Sequence, residues 1–271
     1  MDKSKNILII IILIIIFNKF FKNIYYNNFI NKEKFSEKEA YDINYTIQDK
    51  NDGFGSQYHS IMSGIAYCKF KKYNYIHTPF KKIQHNGDVK SLNNFIGIPI
   101  LPNRNNIHID ISEKHLDEVH WSVNPSKYYT DEVIEIFKKY YYSTPKPDID
   151  NIDIAIHIRR GDVTSSIKNR YTSNSYYNKI IKFLNSKYPN YKINIFSEGI
   201  LNDFDELKGN NISFKLNKSI EETFHSLVKA KILVIAKSSF SYSAAILNSN
   251  EIYYINFHHK PLNNWKNISN L

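Results

Sequence analysis

The chain has 271 residues, 42% of them hydrophobic and 15% aromatic, which suits one large domain or two modest ones and excludes a disordered chain. Its formal charge of +10 comes mostly from lysines scattered among asparagine, isoleucine and tyrosine. Without an arginine-rich stripe, a zinc-finger spacing or an RNA-recognition signature, nucleic acid is not expected as a partner. Cys68 is the only cysteine, so an internal disulfide and a cysteine-built metal site are excluded, and the residue reads as a small core side chain.

Ile7–Phe17 is an uninterrupted apolar run. As a helix it reaches only about 16 Å, roughly half a hydrocarbon core. Continuing to Tyr26 gives spanning length, with Lys19 and Lys22 able to snorkel and Tyr25 and Tyr26 at an interface. No small-residue cleavage site follows, so residues 1–26 are expected to form an uncleaved membrane anchor. Residues 27–42 are polar and read as a short stem. A single-pass membrane protein is expected, and lysines on both sides of the run leave its orientation open.

The first αβ domain is expected over 43–147. Tyr58, Ile61, Met62, Ile65 and Ala66 share one face of a helix. A strand entering a loop follows at "YNYIHTPF", then a strand near Ile107–Ile111 and a helix near Asp131–Tyr140. "STPKPDID", Ser143 to Asp150, carries two closely spaced prolines and is expected to be an extended connector. Asp148 and Asp150 spell a D-x-D pair, but before a strand rather than after one, and read as solvated linker. Over 148–271 apolar strands alternate with helices. Strands are expected at Ile152–Ile158, Tyr191–Phe196, Ile212–Leu216, Lys231–Ala236 and Glu251–Asn256. Helices are expected at Asn174–Lys187, Ile220–Lys229 and Ser241–Asn248. That alternation implies a parallel sheet covered on both faces.

Ligands of such sheets bind outside the carboxyl ends of the strands, and three segments fall there. In "IHIRRGD", His157 and Arg159 lie two apart and share a strand face, with Arg160 on the other side or in the turn. A guanidinium can clamp two phosphate oxygens. The same letters contain Arg160-Gly161-Asp162, a cell-adhesion tripeptide, which would need an exposed loop tip. "NDGFGSQYHS" leads into a helix whose N-terminus offers N–H groups to an anion, with Gly53 and Gly55 permitting close approach. "AKSSFSYSAAIL" places Ser238 and Ser239 either as helix caps or as phosphate contacts. No P-loop, G-x-S-x-G or paired histidine spacing is present, and no metal site is expected.

Together these segments resemble the alpha-1,2-, alpha-1,6- and protein O-fucosyltransferase superfamily: "HIRRGD" its H-x-R-R motif, "GFGSQYHS" its early G-x-G-x-Q segment, and "FHSLVKAKILVIAKSSFSYSAAIL" its late donor-site segment. The resemblance covers roughly Gly53 to Leu247. It implies an α/β fold of the GT-B type, two Rossmann-like domains facing across a cleft. It implies inverting transfer of fucose from GDP-fucose to a glycan or glycoprotein hydroxyl, with no cofactor and no obligatory metal. By position, Arg159 matches the arginine that holds the donor diphosphate, and His157 and Arg160 its motif neighbours. Ser238, Ser239 and Phe240 match the turn lining the diphosphate, and Gly53, Gly55 and Gln57 the early loop. Ser197 and Glu198, in "FSEG", are further donor contacts. Related alpha-1,6 enzymes carry a glutamate shortly after the motif; here the carboxylates on offer as base are Asp162 and Glu198. Phosphate-gripping residues do not read the sugar, so another nucleotide sugar, or a non-catalytic glycan-binding or adhesion protein, stays open at this stage.

Overall fold

The computed structural model describes residues 43–84, 87–100 and 109–271. The anchor and stem expected over 1–42 lie outside them, as does the start of the strand expected near Ile107. Among the described residues no helix is long and apolar enough to cross a membrane.

Two parallel sheets organise the chain. The larger contains β4 (Ile154–His157), β5 (Ile193–Ser197), β6 (Ile212–Leu216), β7 (Ile232–Val234), β8 (Glu251–Tyr254) and β9 (Lys266–Asn267), in the order β6-β5-β4-β7-β8-β9. Counted from β4 this is 3-2-1-4-5-6, the doubly wound order, and the chain reverses its direction of travel between β4 and β7. Alternation along β4 explains its position. Ile154, Ile156 and Ile158 join one apolar cluster with Ile193, Ile195, Ile232 and Val234. The same cluster takes Tyr177, Ile180, Ile181 and Leu184 of α4 (Asn174–Lys187). Ala155, Leu233 and Ile252 point the other way, into a cluster with Phe224, Leu227 and Val228 of α5 (Ile220–Lys229) and Ala244–Leu247 of α6 (Ser239–Leu247). Burial on both faces is worth about 1.5–3 kcal/mol for each large aliphatic side chain, and it makes every residue of β4 apolar except its last, His157.

The smaller sheet is β2-β1-β3, built from β1 (Asn44–Tyr45), β2 (Asn74–Tyr75) and β3 (Ile109–Asp110). It lies against α1 (Phe54–Lys71), a helix buried on nearly every side rather than along one face. The one-faced pattern in the sequence understates this because its other faces are tyrosine, serine, glycine and histidine, which pack here on α6, β2, the turn Leu116–His120 and α3 (Asp131–Tyr141). A further short helix, α2 (Val89–Ile96), buries Leu92, Phe95 and Ile96 and is delimited by an Asp88 cap and by Gly97 in the left-handed region.

The connector after α3 has no regular structure over 145–152, yet it is fastened. Thr144 Oγ1 donates to Asn94 O at 2.8 Å, and the Lys146 ammonium sits 4.5 Å from the Tyr141 ring centre and 5.0 Å from that of Phe95. Burial lowers the Lys146 pKa to about 8. Asp148 and Asp150 are exposed. One apolar cluster runs from Tyr45 through α1 and α3 to Trp265, spanning the segments before and after the connector.

Candidate functional site

At the carboxyl ends of β4 and β7, where the sheet reverses, a cleft of about 450 Å³ opens. Its walls come from both sides of the connector: the loop before α1 with the α1 N-terminus, and the loops after β4, β5, β6 and β7. Every site residue expected from the sequence lines it except Gln57.

Arg159 is the centre of the arrangement. Its Nη1 donates to Ser238 Oγ at 3.1 Å and its Nη2 pairs with Asp162 Oδ2 at 2.5 Å, while Nε is buried without a hydrogen-bond partner among the described residues. The guanidinium therefore spans the loop after β4 and the loop after β7. Ser238 also caps α6, accepting from Phe240 N at 3.3 Å. Arg160 turns away. It donates to Arg159 O at 2.9 Å, Thr172 O at 3.0 Å and Asn174 Oδ1 at 2.7 Å, and lies 4.4 Å over the Tyr171 ring. With Arg160 so occupied and Asp162 paired to Arg159, the Arg160-Gly161-Asp162 tripeptide is not presented as an adhesion tip.

His157 is buried beside Phe240, ring centres 5.5 Å apart. Burial first, and the Arg159 charge second, lower its pKa to about 3, so it is a neutral wall of the cleft at physiological pH. Ser197 Oγ donates to Ile158 O at 2.7 Å, with Glu198 O at 3.0 Å as the alternative acceptor, tying the end of β5 to the Arg159 loop. The Glu198 carboxylate rests on Gly161, where φ is +77° and an added Cβ would overlap Oε2.

The other wall is helical. Gly53, the N-cap of α1, makes no side-chain cap. Gly55 lets this helix end touch the start of α6, since a Cβ there would lie 2.5 Å from Phe240 N. Two helix N-termini thus face the same space as Arg159, and each contributes partial positive charge and N–H groups. Lys50, Arg170, Lys218 and Lys237 add charge against the acids Asp52, Asp162 and Glu198. The arrangement suits a polyanion such as a diphosphate. Gln57, by contrast, donates to Asp52 O and Lys82 O, both at 2.7 Å. It holds the loop before α1 in place rather than facing the cleft.

Several lining residues had no sequence signal. Lys50, His120, Trp121, Arg170, Lys218 and His258 belong to no motif and reach the cleft only through the fold. The structure also gathers His59, His120 and His259, which are far apart in sequence; one ring nitrogen of each lies within 4.8 Å of the others. All three are buried, and burial lowers their pKa values, to about 2 for His120 and about 3 for His259.

No curated protein sequence matches the chain. Among solved structures, it is similar to the Thermosulfurimonas dismutans KpsC beta-Kdo 2,7-transferase, with 16% identity over 51% of this chain and 44% of that one, TM-score 0.33. It is similar to the fucosyltransferase NodZ from Bradyrhizobium, with 11% identity over 76% and 93%, TM-score 0.40. It is also similar to POFUT1 in complex with GDP-fucose, with 11% identity over 85% and 99%, TM-score 0.43. The chain thus spans less than half of the KpsC chain. At these TM-scores the likenesses are weak, and the family assignment stands on sequence. The model of glycosyl transferase family 11 matches residues 126–267, more than half of the chain and all of the larger sheet: the chain belongs to glycosyl transferase family 11.

Proposed function

We propose that this chain transfers fucose from GDP-fucose to a glycan hydroxyl with inversion, in a GT-B arrangement whose donor site is the cleft at β4 and β7. The observation that carries the reading is the Arg159 guanidinium bridging to Ser238 across the strand reversal, facing two helix N-termini. Displacement at the anomeric carbon puts negative charge on the departing diphosphate, and fixed positive groups in that position stabilise it as it forms. Arg159 is the first of these, oriented by Asp162. Ser238, Ser239 and the α6 N-terminus are the second. Glu198, whose carboxylate is held by no side chain among the described residues, takes the proton of the acceptor hydroxyl.

With this much fixed positive charge at the diphosphate, the reaction needs no added divalent ion, and Mg²⁺ or Mn²⁺ is expected to alter the rate by less than about two-fold. The N-terminal 26 residues are proposed to anchor the enzyme in a membrane, single-pass and type II, with the cleft on the lumenal or external side. The deciding experiment is calorimetric titration with GDP-fucose, GDP-mannose and UDP-sugars. Selective binding of GDP-fucose supports the reading. Failure of every GDP species to bind removes it, and selective binding of a UDP-sugar transfers the site to another donor.

A further inference from the structure

His59 comes from α1, His120 from the end of the Leu116–His120 turn and His259 from the segment after β8. Their ring centres are 4.1 Å (His59–His120), 4.4 Å (His59–His259) and 4.8 Å (His120–His259) apart. The hydrogen bonds around them decide which nitrogen of each is bare. The Ser63 hydroxyl donates its one proton to His59 O at 2.7 Å. Toward His120 Nδ1 at 3.3 Å and Tyr129 Oη at 2.9 Å it must therefore accept. Tyr129, its own proton used on Ser63, accepts from His59 Nε2 at 3.1 Å. His259 Nδ1 faces the His120 carbonyl at 3.2 Å and so carries a proton.

Each imidazole thus holds its proton on the nitrogen that donates to an oxygen and leaves a lone pair on His59 Nδ1, His120 Nε2 and His259 Nε2. His59 Nδ1 is buried with no hydrogen-bond partner among the described residues. His259 Nε2 accepts from the Ser239 hydroxyl at 3.0 Å. One nitrogen donated to an oxygen and the other left with its lone pair is the protonation pattern that metal-ligating histidines adopt.

We infer that His59, His120 and His259 form a three-histidine site for a divalent transition metal of borderline softness, Zn²⁺ above all. Three neutral imidazoles without a carboxylate suit Zn²⁺, Cu²⁺ or Ni²⁺ and not Mg²⁺ or Ca²⁺. One ring nitrogen of each lies within 4.8 Å of the others, and Zn–N bonds of about 2.0–2.1 Å need those nitrogens to draw closer, which re-aims the rings as well as shifting them. Three protein ligands leave a fourth position open. A metal here takes the His259 lone pair from Ser239, the first residue of α6, so its occupancy is linked to the wall of the cleft through one hydroxyl. The inference concerns metal content and does not depend on which donor the cleft holds.

The test uses the full chain without a polyhistidine tag, equilibrated with Zn²⁺, freed of excess metal and assayed by elemental analysis. About one Zn²⁺ per chain is expected, with affinity about ten-fold or more weaker in His59→Gln and in His120→Gln. His258→Ala, a change just outside the trio, keeps the metal. Because buried histidine variants can fail to fold, Co²⁺ loaded into the unaltered chain gives a second readout: an intense visible absorption of low-coordinate Co²⁺ that Zn²⁺ displaces. Unaltered chain that binds no Zn²⁺ and shows no such Co²⁺ band overturns the inference. So does a folded His59→Gln chain that keeps full stoichiometry.

Discussion

At an ordinary helix position alanine is more favourable than glycine by about 1 kcal/mol, so propensity alone says that Gly55→Ala stabilises α1. The packing says the opposite. A Cβ on Gly55 would lie 2.7 Å from Phe240 Cβ, 2.5 Å from Phe240 N and closer still to Phe240 Cα. Carbon atoms settle at about 3.5–4.0 Å, so the two helix starts must part by about 1 Å. Phe240 is the second residue of α6 and its backbone has no rotamer to escape into. Overpacking of this kind costs about 1–3 kcal/mol, enough to outweigh the propensity gain. Less the propensity gain, the net loss is up to about 2 kcal/mol, which for a chain of this size lowers Tm by up to roughly 8 °C. The same parting shifts Ser238 and Ser239 against Arg159, and a displacement of about 1 Å at a reacting centre can reduce turnover about 100-fold. Thermal unfolding and donor titration on the same preparation read both effects. A Gly55→Ala chain with unchanged or higher Tm and unchanged donor affinity would refute the backbone contact between the two helices.

Arg160→Ala removes three hydrogen bonds and a ring contact, so it is expected to lower stability by about 1–3 kcal/mol in chemical denaturation. Its effect on GDP affinity should be smaller than that of any change at Arg159; the reverse order would exchange the roles of the two arginines. Glu198→Gln should lower kcat about 100-fold or more with little change in donor binding, whereas Asp162→Asn should weaken donor binding through a misoriented Arg159. Equal kcat in Glu198→Gln and the parent would sink Glu198 as the base. Burial lowers the pKa values of His115, His157 and His225 to about 4, 3 and 4. These lie below the unfolded value, so the unfolded chain binds more protons in acid. Their stabilising effect is complete above about pH 6.5 and is lost as the pH falls toward 4; at pH 5.5 the three together remove about 4 kcal/mol. Equal urea midpoints at pH 7.5 and 5.5 would contradict their burial.

What was legible in the sequence follows from local rules. Asn174–Lys187, Ile212–Leu216 and Ile220–Lys229 fall where periodicity and capping put them, because an apolar stripe and a Ser173 or Ser219 cap act within a few residues. The strand-end position of Arg159 followed from the apolar run before it, and its side of the strand from counting residues by two. Two things were not local. Gln57 stands inside a motif yet serves the loop beneath it, since only the fold brings Lys82 O within its reach. The three histidines carry no spacing signal because a helix, a turn and a loop after a strand deliver one each. Such a cluster is visible only once α1, the Leu116–His120 turn and the chain after β8 are packed together.

The central claim is that Arg159 grips a nucleoside diphosphate across the β4–β7 reversal. Its most direct test is calorimetric titration of GDP into the parent chain and into Arg159→Ala, with unfolding measured alongside. The partly exposed pair with Asp162 contributes at most about 1 kcal/mol to stability, so the variant should stay folded. The account predicts GDP binding to the parent and a loss of about 100-fold or more in affinity in the variant, of the order a charge-assisted guanidinium–phosphate clamp supplies. Equal GDP affinity in the two chains would contradict it.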